Sequence, residues 1–124
     1  MITSQAFAGK KYAVLGLARS GLSAVESLLA RWGYSVTTAT STDSLSLTEP
    51  PDLVVMDYRL DDGLTGDRAM ERLNGQWPRP VPAILLTAED TEETKAAAAR
   101  MGASRLIKPV SPPALRALIN SLLS

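Results

Sequence analysis

The sequence predicts a three-layer, doubly wound α/β domain on a five-stranded parallel sheet in the order 2-1-3-4-5. Three observations carry that prediction. Short β-branched or apolar runs alternate along the chain with stretches of helical apolar spacing. Gly and Pro stand between them. Right-handed crossovers between parallel strands make this strand order the natural one. A chain of 124 residues suits a single domain, 1–124, with a core of its own.

The first strand is expected at Tyr12 to Leu17, followed by a turn from Gly16 to Gly21 that opens a helix. Leu22, Val25, Leu28 and Leu29 recur at helical spacing, and that helix should stop before Gly33. Ser35 to Ala39 reads as the second strand, and Asp43 to Leu47 as a short, weak helix. After Pro50 and Pro51 comes a third strand, Asp52 to Met56, apolar throughout its interior as a buried parallel strand should be. A polar loop, Asp57 to Thr65, leads to a helix from Gly66 to Leu73, with Gly63 and Gly66 read as turn residues. Pro78, Pro80 and Pro82 forbid further helix, so the fourth strand is Ala83 to Thr87. Glu89 to Met101 reads as an Ala-rich helix with Gly102 as its cap, and Arg105 to Ile107 as the fifth strand. Pro112 and Pro113 start a last helix with an apolar face of Leu115, Leu118, Ile119, Leu122 and Leu123.

Composition narrows the function. Lys plus Arg and Asp plus Glu each number 13, so the net charge is zero. There is no electrostatic case for binding nucleic acid or an anionic membrane, and little colloidal protection against self-association. The chain has no Cys and no His. Disulfides, thiolate and imidazole metal sites, a phosphorylated His and the usual neutral-pH general base are all excluded. No apolar run approaches the ~20 residues of a membrane span. The start, Met1 to Ala8, lacks the basic and apolar regions of a signal peptide, so a cytoplasmic setting is expected.

In doubly wound sheets, ligands sit at the carboxyl ends of the strands near the switch point. That rule places the loop after Leu17, Asp57, Thr87 and Lys108 on one edge. Taken singly, Asp57 reads as a turn former, Thr87 as a strand-end residue and Lys108 as a surface charge. Their joint register at strand ends is what singles them out.

Three strings, Val54-Val55-Met56-Asp57, Ile84-Leu85-Leu86-Thr87 and Leu106-Ile107-Lys108-Pro109, resemble the response-regulator receiver domains of two-component signalling, with the flavodoxin-like fold. The likeness runs from about Arg31 to Ser124 and is closest to receivers attached to sensor kinases. It implies Asp57 as phosphoacceptor, Thr87 and Lys108 as residues that support the phosphoryl group, and a cis Lys108–Pro109 peptide. Backbone groups around Tyr58 and Arg59 would complete the site. A histidine kinase or phosphotransfer protein would be the partner, and the domain would turn over no substrate of its own. One departure is decisive. Gly16 and Leu17 stand where the family has the two acids that hold Mg²⁺. Mg²⁺ requires several oxygen ligands in near-octahedral geometry, so no metal is expected unless receiver chemistry survives by other means. Arg19 is instead expected near Asp57, neutralising it together with Lys108. Asp61 and Asp62 read as loop solvation.

Phe7 to Glu26 resembles something else, the N-terminus of the UDP-N-acetylmuramoyl-alanine–glutamate ligases. That likeness covers residues 1–30 and implies a glycine-rich turn, with Gly16, Arg19, Ser20 and Gly21 offering donors to a nucleotide phosphate. The chain has no ATP-binding central domain of that family, so ligase activity is not expected. A join near residues 30–34, natural or engineered, accounts for both likenesses. The readings are therefore a receiver scaffold defective in Mg-dependent phosphorylation, an engineered or recombined chimera with no selected function, a functional phosphorelay receiver, or a weak nucleotide- or phosphate-binding module.

Overall fold

The computed structural model describes residues 11–15, 22–39, 50–60 and 64–123. Five parallel strands, β1 (Lys11–Leu15), β2 (Ser35–Ala39), β3 (Leu53–Asp57), β4 (Ala83–Thr87) and β5 (Ser104–Ile107), form one sheet in the order 2-1-3-4-5. The described helices are α1 (Leu22–Arg31), α2 (Gly66–Gln76), α3 (Glu92–Arg100) and α4 (Pro112–Leu123). The weak helix expected at Asp43 to Leu47 lies outside the described residues.

Side-chain alternation along the strands builds two cores, one on each face of the sheet. Ala13, Val54, Met56, Ala83 and Leu85 face α2 and α3, where Ala69, Met70, Leu73, Ala97 and Ala98 meet them. Tyr12, Val14, Leu53, Val55, Ile84 and Leu86 face α1 and α4, meeting Val25, Leu29, Leu115 and Ile119. All five residues of β3 and of β4 are buried, as central strands covered on both faces must be. An aromatic group closes the second core. Tyr12 stacks on Tyr34 at 4.4 Å, Trp32 meets Tyr34 edge-on, and the Arg116 guanidinium of α4 lies over Trp32. Burial, with Tyr34 alongside, pushes the Tyr12 hydroxyl well above its ordinary pKa.

The helix ends have local causes. After α1, Gly33 sits at φ +91° and the Tyr34 amide donates to Leu29 O. After α3, Gly102 sits at φ +64° and the Ala103 amide donates to Ala98 O. Both are Schellman closures, which need a left-handed residue and so favour glycine. The helix expected from Glu89 begins instead at Glu92. Thr91 caps it, its side chain accepting from the Thr94 amide while the Thr94 hydroxyl accepts from the Thr91 amide. The helix expected to end at Leu73 continues to Gln76. It ends there because Trp77 precedes Pro78 and is held extended. β3 is shifted one residue from expectation and takes in Asp57, and β5 gains Ser104.

Candidate functional site

Asp57 is the last residue of β3 and Thr87 the last of β4. Asp57 pairs in register with Leu86, so the two side chains leave the same sheet edge one step apart. Thr87 pairs with Ile107, and the Lys108 amide donates to Thr87 O at 2.8 Å just beyond β5. The Lys108–Pro109 peptide is cis, as the resemblance implied. The sheet therefore brings Asp57, Thr87 and Lys108 together around a cleft of about 170 Å³.

Electrostatics at this edge is dominated by one pair. Lys108 Nζ lies 2.7 Å from Asp57 Oδ1, and the Asp57 side chain is only 5% exposed. Neither Asp57 oxygen accepts a conventional hydrogen bond among the described residues. The Lys108 ammonium is thus the described compensation for a carboxylate taken out of water. The Thr87 hydroxyl is held in a tight turn, accepting from the Glu89 amide at 3.0 Å and donating to Glu89 O at 3.2 Å.

Side chains that the sequence did not pick out close the rim. Arg59 donates through Nε and Nη2 to the two oxygens of Glu89, a bidentate pair across the mouth of the cleft. Tyr58 donates to Glu93 Oε1 at 2.6 Å, and that bond, with burial, pushes its hydroxyl up to about 12. Arg105 of β5 binds Asp90 and the Thr94 hydroxyl. Strand ends β3 and β5 thus fasten the segment 89–94 from two sides. Only the strand-end positions of these residues were visible in sequence; their partners stand up to 35 residues away.

The Arg59 guanidinium holds the Glu89 carboxyl below its ordinary pKa, and Arg105 does the same for Asp90. A carboxylate with a lowered folded pKa contributes to stability above its ordinary range and loses that contribution as pH falls through the lowered value. Carboxyl NMR titration should place Glu89 below ordinary glutamates and return it to the ordinary range in Arg59→Ala. An unmoved Glu89 would mean that the rim pair does not persist in solution.

Gly16, Leu17, Arg19, Ser20, Gly21, Asp61 and Asp62 lie outside the described residues. β1 ends at Leu15, in register with Met56 and one step short of Asp57, and the next two residues in sequence are Gly16 and Leu17. Among the described residues no group of three or more His, Cys, Asp or Glu side chains is placed to hold a metal. Of the two acids lining the cleft, Asp57 is paired with Lys108 and Glu89 with Arg59. Mg²⁺ takes several oxygen ligands, and among the described residues Asp57 and Glu89 are the acids that line the cleft.

The family model of the response regulator receiver domain matches residues 10–120. The chain belongs to that family. Among solved receivers, it is 27% identical to the BeF3-activated DrrB receiver domain (TM-score 0.78, covering 93% of this chain and 97% of that one). It is 24% identical to the receiver domain of a sensor histidine kinase from Pseudomonas aeruginosa PAO1, whose structure has a magnesium ion in the active-site cleft (TM-score 0.78, covering 94% and 98%). A CheY-like receiver from Methanospirillum hungatei JF-1 is 23% identical (TM-score 0.80, covering 94% of each). Separately, a 30-residue stretch is 83% identical to the UDP-N-acetylmuramoylalanine–D-glutamate ligase of Novosphingobium aromaticivorans and 77% identical to that of Sphingopyxis alaskensis. The match spans 24% of this receiver but only 7% of each ligase. The receiver match begins at residue 10, so it takes in the first strand, Lys11–Leu15. No helix among the described residues is long and apolar enough to cross a membrane.

Proposed function

We propose that this chain is a receiver scaffold in which Asp57, Thr87 and Lys108 keep the phosphoaccepting edge while the metal site is gone. Magnesium-dependent phosphorylation of Asp57 is then defective, and the domain turns over no substrate. The observation that carries this reading is the Lys108–Asp57 contact at 2.7 Å, beside which no group of three or more acids among the described residues is placed to hold a metal. A carboxylate attacks a phosphoryl group only when the charge on both is offset, and loss of the metal removes most of that offset. Lys108 supplies one positive charge, already committed to Asp57. The short match to the ligases, 83% and 77% identical over 30 residues, supports a chimeric origin for the segment read as residues 1–30, natural or engineered.

The test is incubation with Mg²⁺ and acetyl phosphate followed by intact mass, with Asp57→Asn as control. No phosphoryl adduct is expected on the folded protein. Gly16→Asp combined with Leu17→Asp is expected to create Mg²⁺ binding, read by NMR shifts around Asp57. An adduct on the parent protein that disappears in Asp57→Asn would overturn the proposal. It would favour a working phosphorelay receiver, served by a histidine kinase or phosphotransfer protein. An observation on that side is Asp57 Oδ2, buried at the cleft and without a hydrogen-bond partner among the described residues.

A further inference from the structure

Two concavities lie away from Asp57, along α2 and α3. One, of about 430 Å³, is lined by Arg68 and Arg72 of α2 and Arg100 of α3, with Asp67 and Glu71. A second, of about 550 Å³, shares Asp67, Glu71 and Arg100 and extends toward Gly75. The Asp57 cleft is smaller than either.

The charges in the first concavity are arranged unequally. Asp67, in the first turn of α2, is 7% exposed, and its Oδ2 accepts from Arg100 Nη2. Its Oδ1 has no partner among the described residues, so Arg100 is the described compensation for this buried carboxylate. That need fixes the Arg100 guanidinium at the rim. The same side chain stays 68% exposed, and one of its five N–H donors serves Asp67. Arg68 and Arg72 stand one helical turn apart, both exposed, and neither forms an ion pair or hydrogen bond with a described residue. Glu71 sits between them in sequence without pairing to either. With Asp67 spent on Arg100, the described lining of the concavity presents an excess of guanidinium donors over free carboxylate. One of those donors is locked in place before any ligand arrives, which lowers the ordering cost of binding.

We propose that this concavity binds a compact, multiply charged oxyanion through Arg68, Arg72 and Arg100. Guanidinium forks match the planar edges of phosphate and carboxylate groups, and each such contact is charge-assisted. The site is independent of the Asp57 edge and does not depend on the fate of phosphorylation there.

The test is titration of the full chain with pyrophosphate and, in a second arm, with citrate, at fixed ionic strength, followed by amide and guanidinium NMR. Saturable shifts are expected at Arg68, Arg72, Arg100 and Gly75. A preference between the two probes tells a phosphate from a carboxylate ligand. Arg68→Ala and Arg72→Ala, both on the exposed face of α2, should fold normally and each weaken binding about tenfold, the loss of one charge-assisted contact. Lys95→Ala, which removes an exposed cation of α3 outside the concavity, should leave this binding unchanged. Non-saturating shifts that track ionic strength would overturn the proposal. So would binding lost in Lys95→Ala or retained at full strength in both arginine variants.

Discussion

Replacing Lys108 by alanine is expected to destabilise this receiver by about 2–4 kcal/mol, and adding Asp57→Ala should restore most of the loss. The reason is asymmetric. The Lys108–Asp57 pair itself contributes little net stability, because both groups gave up water to form it. Removing the lysine alone leaves a carboxylate, 5% exposed and without a conventional hydrogen bond among the described residues, inside a closed edge of the sheet. Lys108 is 27% exposed and the cleft admits water, which keeps the expected loss below that of a fully buried pair. Removing the carboxylate as well eliminates the uncompensated charge, so the double variant should lie within about 1 kcal/mol of the parent. Urea denaturation of the four proteins in this cycle measures both numbers. If Lys108→Ala costs under about 0.5 kcal/mol, or Asp57→Ala gives no rescue, another cation neutralises Asp57. Arg19, the charge that the sequence reading placed beside Asp57, would be the first to replace.

That cycle bears on residues whose roles differ in how far the sequence exposed them. Asp57, Thr87 and Lys108 were legible because each ends an apolar run bounded by a change of composition, and a parallel sheet must bring such ends to one edge. β4 was legible to the residue, since Pro82 marks its start and its five residues are apolar or β-branched. The start of α3 was not. Glu89 and Asp90 look like first-turn acids, but they face Arg59 and Arg105, and Thr91 sets the helix start through a side-chain bond. The rim pairs were also hidden. Arg59 and Glu89 are 30 residues apart, and Arg100 and Asp67 are 33 apart, with no periodicity linking either pair. Asp67 shows the same limit from the other direction. An acid in the first turn of a helix reads as a surface group favoured by the helix dipole, whereas packing of α3 against α2 has buried it.

Gly66→Ala is expected to destabilise the fold by about 1–3 kcal/mol, although alanine is the better helix former. The sequence predicts Gly66 as a turn residue that opens a helix, and the helix does begin there. The structure makes it the first residue of α2, buried against the end of β3. A Cβ there would lie 2.5 Å from Leu85 Cδ1, 2.8 Å from Asp57 O and 3.3 Å from Met56 Sδ. The leucine and methionine ends can rotate away. Asp57 O belongs to the strand backbone, and the Gly66 amide is itself fixed by its bond to Tyr58 O at 2.6 Å. Relief therefore requires α2 to back away from the sheet, straining the backbone at the residue that carries the site. Gly75, in the same helix, provides the control. Its Cβ would meet nothing within 4 Å, so Gly75→Ala should be neutral or stabilise by up to about 1 kcal/mol. Urea midpoints of the two variants separate steric need from helix propensity. Equal stabilisation in both would mean that α2 yields freely at its start, and that the close approach to Asp57 is not required by the fold. A selective loss in Gly66→Ala, with shifted Asp57 and Tyr58 amide resonances, would show that the glycine sets the depth at which Asp57 sits.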